Sequence, residues 1–126
     1  MTASELILVD SSGWVEYMGG GPKEGEFGRF IDSGSATLLP TIVIYEVYKK
    51  LWGTDRKTVV ERFVSHVLRQ LIVPLDERLA MVAAQVSVEH KLHMADAIIY
   101  ATARSFSAKL ITSDQAFRDL PGVTLL

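Results

Sequence analysis

The sequence predicts a single α/β/α domain spanning residues 1–126, built on a mainly parallel sheet of four or five strands. Two observations predict it. Short apolar runs such as "ELILVD", "ATLLP" and "AKLIT" alternate with stretches whose apolar residues recur at helical spacing, the pattern of a parallel sheet covered on both faces. In addition, 126 residues suffice for one hydrophobic core and fall short of two.

In chain order, "ELILVD" reads as a buried strand ending at Asp10, and Ser11 or Ser12 stands where it would cap the short helix "SSGWVEYM". "GGGP" from Gly19 is a loop. A helix over 24–33 places Phe27, Phe30 and Ile31 on one face, and "ATLLP" forms a second strand closed by Pro40. Thr41 is placed to cap "IVIYEVYKKLW", a helix ending at Gly53. Val59, Val60, Phe63, Val64, Val67 and Leu68 stripe a helix over 55–70. "LIVP" is a third strand, Asp76 caps a helix running to His90, and an apolar helix covers 95–106. "AKLITSD" supplies a fourth strand, Asp114 precedes a short helix, and "GVTLL" supplies a fifth.

Composition narrows the function classes. Apolar residues make up 48% and charged residues 22%, too hydrophobic for disorder. The absence of cysteine excludes disulfides, thiolate metal sites and a Cys nucleophile. No basic leader and no apolar run of membrane-spanning length is present, so a cytoplasmic protein without membrane attachment is expected. A net charge of −2 argues against a broadly basic nucleic-acid binder, but not against local basic residues working with a bound cation.

Four acids stand out. Asp10 ends the first strand, Asp114 follows the fourth, Asp96 opens the apolar stretch "MADAIIYATA", and Glu46 sits inside "IVIYEVY". In doubly wound sheets, ligands bind beyond the carboxyl ends of the strands, where Asp10 and Asp114 are expected. Carboxylates held together repel one another, and a divalent cation relieves the conflict; oxygen donors suit Mg²⁺ or Mn²⁺ rather than zinc. Such an ion lowers the pKa of water and neutralises charge on a phosphodiester, which suits hydrolytic attack at phosphorus. Singly, each acid has a plainer reading: a turn residue at Asp10, helix caps at Asp96 and Asp114, and a Glu46–Lys50 pair four residues apart.

"VDSSGWVEY", "YEV", "MADAIIYATA" and "LITSDQAF" resemble, in order, the motif blocks of PIN-domain ribonucleases, and most of all the VapC-like toxins of toxin–antitoxin pairs. The resemblance covers essentially the whole chain and implies a PIN-like fold. It implies that Asp10, Glu46, Asp96 and Asp114 form an acidic metal site. Ser11 falls where the family often has a small hydroxyl residue, and Thr112 matches a Thr that would orient Asp114 or a water on the ion. It further implies a Mg²⁺- or Mn²⁺-dependent endoribonuclease acting on RNA, restrained by a cognate antitoxin and usually a homodimer. The competing reading is a non-catalytic interaction domain that keeps the fold and binds a protein partner.

Other constellations carry less. His90, His93 and Asp96 would share one face of a continuous helix and could then bind zinc, but a helix break between Lys91 and Met94 is expected. His66 is expected on an exposed helix face. Trp14, Trp52, Tyr17, Tyr45 and Tyr48 could stack on bases, although aromatics at helical spacing more often fill cores. Lys49, Lys50, Arg56, Lys57 and Arg62 form the densest basic stretch. A receiver domain would need a lysine closing its last strand, and none follows Lys109. Asp10-Ser11-Ser12 lacks the Asp-x-Asp of haloacid-dehalogenase-type phosphatases, and neither G-x-S-x-G nor a P-loop occurs.

Overall fold

The computed structural model describes residues 5–54 and 56–126. Five strands, β1 (Ile7–Val9), β2 (Thr37–Pro40), β3 (Leu71–Val73), β4 (Lys109–Thr112) and β5 (Val123–Leu125), form one sheet in the order β3-β2-β1-β4-β5. Every pairing is parallel. The helices are α1 (Ser11–Gly19), α2 (Glu24–Ile31), α3 (Thr41–Trp52), α4 (Lys57–Val67), α5 (Glu77–His90) and α6 (Met94–Ser105). Helix α1 packs on α2, α3 and α4, whereas α5 packs on α6. Right-handed crossovers explain this split, because the chain steps from β1 to β3 in one direction and returns to β4 in the other. The result is the expected three-layer α/β/α architecture, with all five strands parallel.

The central strands are buried on both faces. Leu8, Val9, Leu110 and Ile111 are wholly buried, which is why β1 and β4 read as continuous apolar runs rather than alternating ones. Trp14, Phe27 and Phe63 fill the core beside them. Gly13 allows this packing. A Cβ there would come within 2.5 Å of Val9 Cγ1 and 2.6 Å of the Phe27 ring, so the first turn of α1 can lie on β1 only without a side chain.

Local chemistry sets the helix boundaries. Asp10, and not Ser11 or Ser12, caps α1: its Oδ1 accepts from the Gly13 N–H at 3.0 Å. Gly20, in the left-handed region at φ 71°, closes the same helix. Asp76 caps α5 as expected, accepting from the Leu79 N–H at 2.8 Å. Thr41 is the first residue of α3 and not its cap; Pro40 occupies the cap position in extended conformation and makes no side-chain cap bond. The expected start of α4 at Asp55 lies outside the described residues, and the helix runs Lys57–Val67. Lys91, with φ 55°, ends α5, so the break before Met94 is real.

Candidate active site

The reversal in strand order falls between β1 and β4, and both strands deliver a carboxylate at their carboxyl ends. Asp10 follows Val9, and Asp114 lies two residues beyond Thr112. Two helices supply the other acids: Glu46 from the second turn of α3 and Asp96 from the first turn of α6. Because α3 and α6 touch, these residues meet over the same end of the sheet. Asp10, Glu46, Asp96 and Asp114 line one cleft of about 790 Å³ together with Ser11 and Ser12. The crevice lies where a doubly wound sheet opens for a ligand.

Hydrogen bonds fix three of the acids. Asp10 is 4% exposed, and its Oδ1 accepts from the Ser12 hydroxyl at 2.8 Å as well as from the Gly13 N–H. Its Oδ2 accepts from the Thr112 hydroxyl at 2.6 Å. Thr112 in turn accepts from the Asp114 N–H at 2.9 Å, so one hydroxyl joins the ends of β1 and β4. Asp114 Oδ1 accepts from the Ala116 N–H at 2.9 Å, capping the single 3-10 turn Gln115–Phe117. Capping and facing the cleft are therefore the same placement for Asp10 and Asp114. The Ser11 hydroxyl donates to Glu46 Oε1 at 2.5 Å. Glu46 makes no ion pair with Lys50; among the described residues the salt bridge is Lys109–Glu5.

Asp96 has a different setting. It lies in the first turn of α6, and the cap position belongs to His93. Burial pushes its carboxyl up to about 6, and the charges of Asp114, Glu46 and Asp10 push in the same direction, with His93 opposing. Burial also raises Asp10, against the hydrogen bonds from Thr112, Ser12 and Gly13 and together with the charge of Asp114. The cleft therefore holds negative charge that a cation would relieve.

Among the described residues, no three His, Cys, Asp or Glu side chains stand together as a ready-made ligand cluster. The donor chemistry nevertheless fits a hard divalent ion, because the lining acids and hydroxyls present only oxygen. The hydrogen bonds also indicate which oxygens remain open. Each carboxylate oxygen has two lone pairs, so Asp10 Oδ1 is filled while Oδ2 keeps one. Glu46 Oε2 and Asp114 Oδ2 accept no bond among the described residues, and neither oxygen of Asp96 does.

The remaining candidates separate. His90, His93 and Asp96 do not share the face of one continuous helix, since the turn at Lys91 splits the helix and His90 packs edge-on to Tyr100. His66 is half-buried, correcting the exposed placement: it packs edge-on to Trp14 and Tyr17, and burial lowers its pKa. Trp14 is wholly buried in the core, and its indole N–H finds no partner among the described residues. Tyr17 donates to Asp32 at 2.8 Å. Tyr45, Lys49 and Lys50 line the acid cleft, whereas Tyr48, Trp52, Arg56 and Lys57 line a second groove. Ser12 is a site residue that sequence reasoning passed over; two residues after Asp10, its hydroxyl is placed to return to that carboxylate.

A search of curated protein sequences returned no match. Solved structures are similar along nearly the whole chain. A toxin–antitoxin complex from Klebsiella pneumoniae is 23% identical with a TM-score of 0.78, over 94% of this chain and 95% of that one. VapBC2 from Rickettsia felis, bound to a DNA fragment from its promoter, is 14% identical with a TM-score of 0.73, over 96% and 97%. VapC20 of Mycobacterium tuberculosis, a Sarcin-Ricin loop cleaving toxin, is 19% identical with a TM-score of 0.70, over 82% and 85%. Among the described residues no helix is long and apolar enough to cross a membrane. Residues 7–123 match the model of the PIN domain, and with that match running from the first residue of β1 to the first of β5, the chain belongs to the PIN domain family.

Proposed function

We propose that this protein is a Mg²⁺- or Mn²⁺-dependent endoribonuclease, the cytoplasmic toxin of a toxin–antitoxin pair, acting as a homodimer restrained by a cognate antitoxin. One observation carries the catalytic reading: four carboxylates from four separate elements line a single cleft at the carboxyl end of the sheet. Membership of the PIN family and the toxin–antitoxin complexes among its structural neighbours support the biological reading.

Asp10, Asp96 and Asp114 would hold the ion, with Glu46 reaching it through water or serving as general base. When bound, the ion supplies charge neutralisation on the phosphodiester and a lowered pKa for water. The chain's own residues set the geometry. Thr112, Ser12 and the Gly13 N–H fix Asp10, and the remaining lone pair of its Oδ2 is the one that would serve the ion. Ser11 fixes Oε1 of Glu46 and leaves Oε2 to accept the proton of the water that attacks phosphorus.

The test is cleavage of RNA by the purified protein with Mg²⁺ or Mn²⁺, and its loss on adding EDTA or on Asp10→Asn and Asp96→Asn substitution. Cleavage that survives both substitutions, or that ignores EDTA, overturns the assignment. No cleavage of any RNA under these conditions returns the chain to the reading of a non-catalytic interaction domain.

A further inference from the structure

We propose that Tyr45 is a stacking platform for an unpaired base beside the scissile phosphate, with Lys49 and Lys50 guiding the strand's phosphates along α3. This rests on the reading of the cleft as an RNA-cleaving site. Tyr45 directly precedes Glu46 and lines the acid cleft, yet 60% of it is exposed. The Lys49 ammonium lies 5.6 Å from its ring centroid, over the ring. Side chains four apart share a helix face, so α3 presents two neighbouring rows: Glu46 with Lys50, and Tyr45 with Lys49.

Charge selects the same strip. Among the residues lining the cleft, Lys49 and Lys50 are the positive ones, set against the carboxylates of Asp10, Glu16, Glu46, Asp96 and Asp114. A polyanionic strand is repelled by most of the wall and attracted along α3. The other aromatics are engaged elsewhere. Trp14 is buried, Tyr17 is bonded to Asp32, and Tyr48 stacks on Trp52 at 5.9 Å and 13° over the second groove. Tyr45 alone among these aromatics borders the acids. A stacking face of this kind takes a base from a loop or single strand, since a duplex keeps its bases covered.

The experiment is fluorescence anisotropy with a labelled single-stranded RNA oligonucleotide and a hairpin-free duplex of the same sequence, in the Asp96→Asn background with Mg²⁺. Tyr45→Ala should weaken single-strand binding about 5- to 100-fold, whereas Tyr45→Phe should stay within about twofold. Lys49→Ala and Lys50→Ala should each flatten the salt dependence by about 0.7 in the log–log slope. With Asp96 restored, Tyr45→Ala should raise KM far more than it lowers kcat. Tyr45→Ala binding RNA like its parent overturns the proposal, as does an equal loss on the duplex. A change in oligomeric state at unchanged RNA affinity also overturns it, assigning Tyr45 to a protein interface. If the unsubstituted protein cleaves no RNA but Tyr45-dependent binding is seen, the platform stands and the reaction falls.

Discussion

The Thr112 hydroxyl donates to Asp10 Oδ2 at 2.6 Å and accepts from the Asp114 N–H at 2.9 Å. A single buried side chain thus ties together the two strand ends from which the cleft is built. Thr112→Val keeps the shape and removes the hydroxyl, leaving a buried carboxylate short of a donor. It should cost about 1–3 kcal/mol in urea unfolding, with RNA cleavage falling alongside. Thr112→Ser should recover most of both. Unchanged stability in the valine variant would show that water replaces the bond.

If Asp96 holds the proposed ion, metal binding should depend on pH. Its folded-state pKa, about 6, lies above the ordinary 3.8, so the folded protein binds the extra proton more tightly than the unfolded chain does. Stability from this group is therefore present at low pH and is lost as pH rises from about 4 to about 6. A cation must displace that proton, so Mn²⁺ should raise Tm more at pH 7.5 than at pH 5. Asp96→Asn should raise the metal-free Tm at pH 7.5 and reduce the metal-induced rise. Equal shifts at both pH values would count against Asp96 as a ligand.

Ser11 acts on Glu46 by position. Ser11→Ala should lower kcat about tenfold, the worth of one hydrogen bond to a charged group, while KM and Tm hold nearly constant. Glu46→Gln should lose far more activity with the fold intact by circular dichroism. Equal losses in the two variants would mean that Ser11 itself meets the substrate.

Gly13→Ala should be among the most destabilising small substitutions. The added Cβ would overlap Val9 and Phe27 in the core, and either α1 or the Phe27 ring must move. The expected loss is about 1–3 kcal/mol or more, read by thermal unfolding. Gly25→Ala is the control, since a Cβ there meets nothing within 4 Å.

Strands such as "ELILVD" and "KLIT" were legible because a parallel sheet buried on both faces writes itself as an apolar run. Asp10 and Asp114 stood out because each follows an apolar strand, and Glu46 and Asp96 because apolar neighbours flank them. What could not be read was competition among nearby donors and acceptors. "DSS" offers three capping candidates, and the structure gives the cap to Asp10 while turning Ser12 back on it and Ser11 across to Glu46. Helical spacing likewise marks Trp14 and Tyr45 as helix residues without saying which faces the core. Tertiary packing separates them: Trp14 is buried against Phe63 of α4, whereas Tyr45 faces the open cleft. His66 belongs with them, its exposure being decided by Trp14 and Tyr17 from another helix.

The placement of Asp10 as the cap of α1 and of Asp96 in the first turn of α6 has an electrostatic corollary. Each helix start carries about half a positive charge, so two of the four acids sit against a fixed, built-in counter-charge. That field is too weak to neutralise the cleft and too permanent to diffuse away. It offsets part of the repulsion among the acids within the fold itself. On the proposed function, a metal would then serve the chemistry and would not be needed as a strut for the fold.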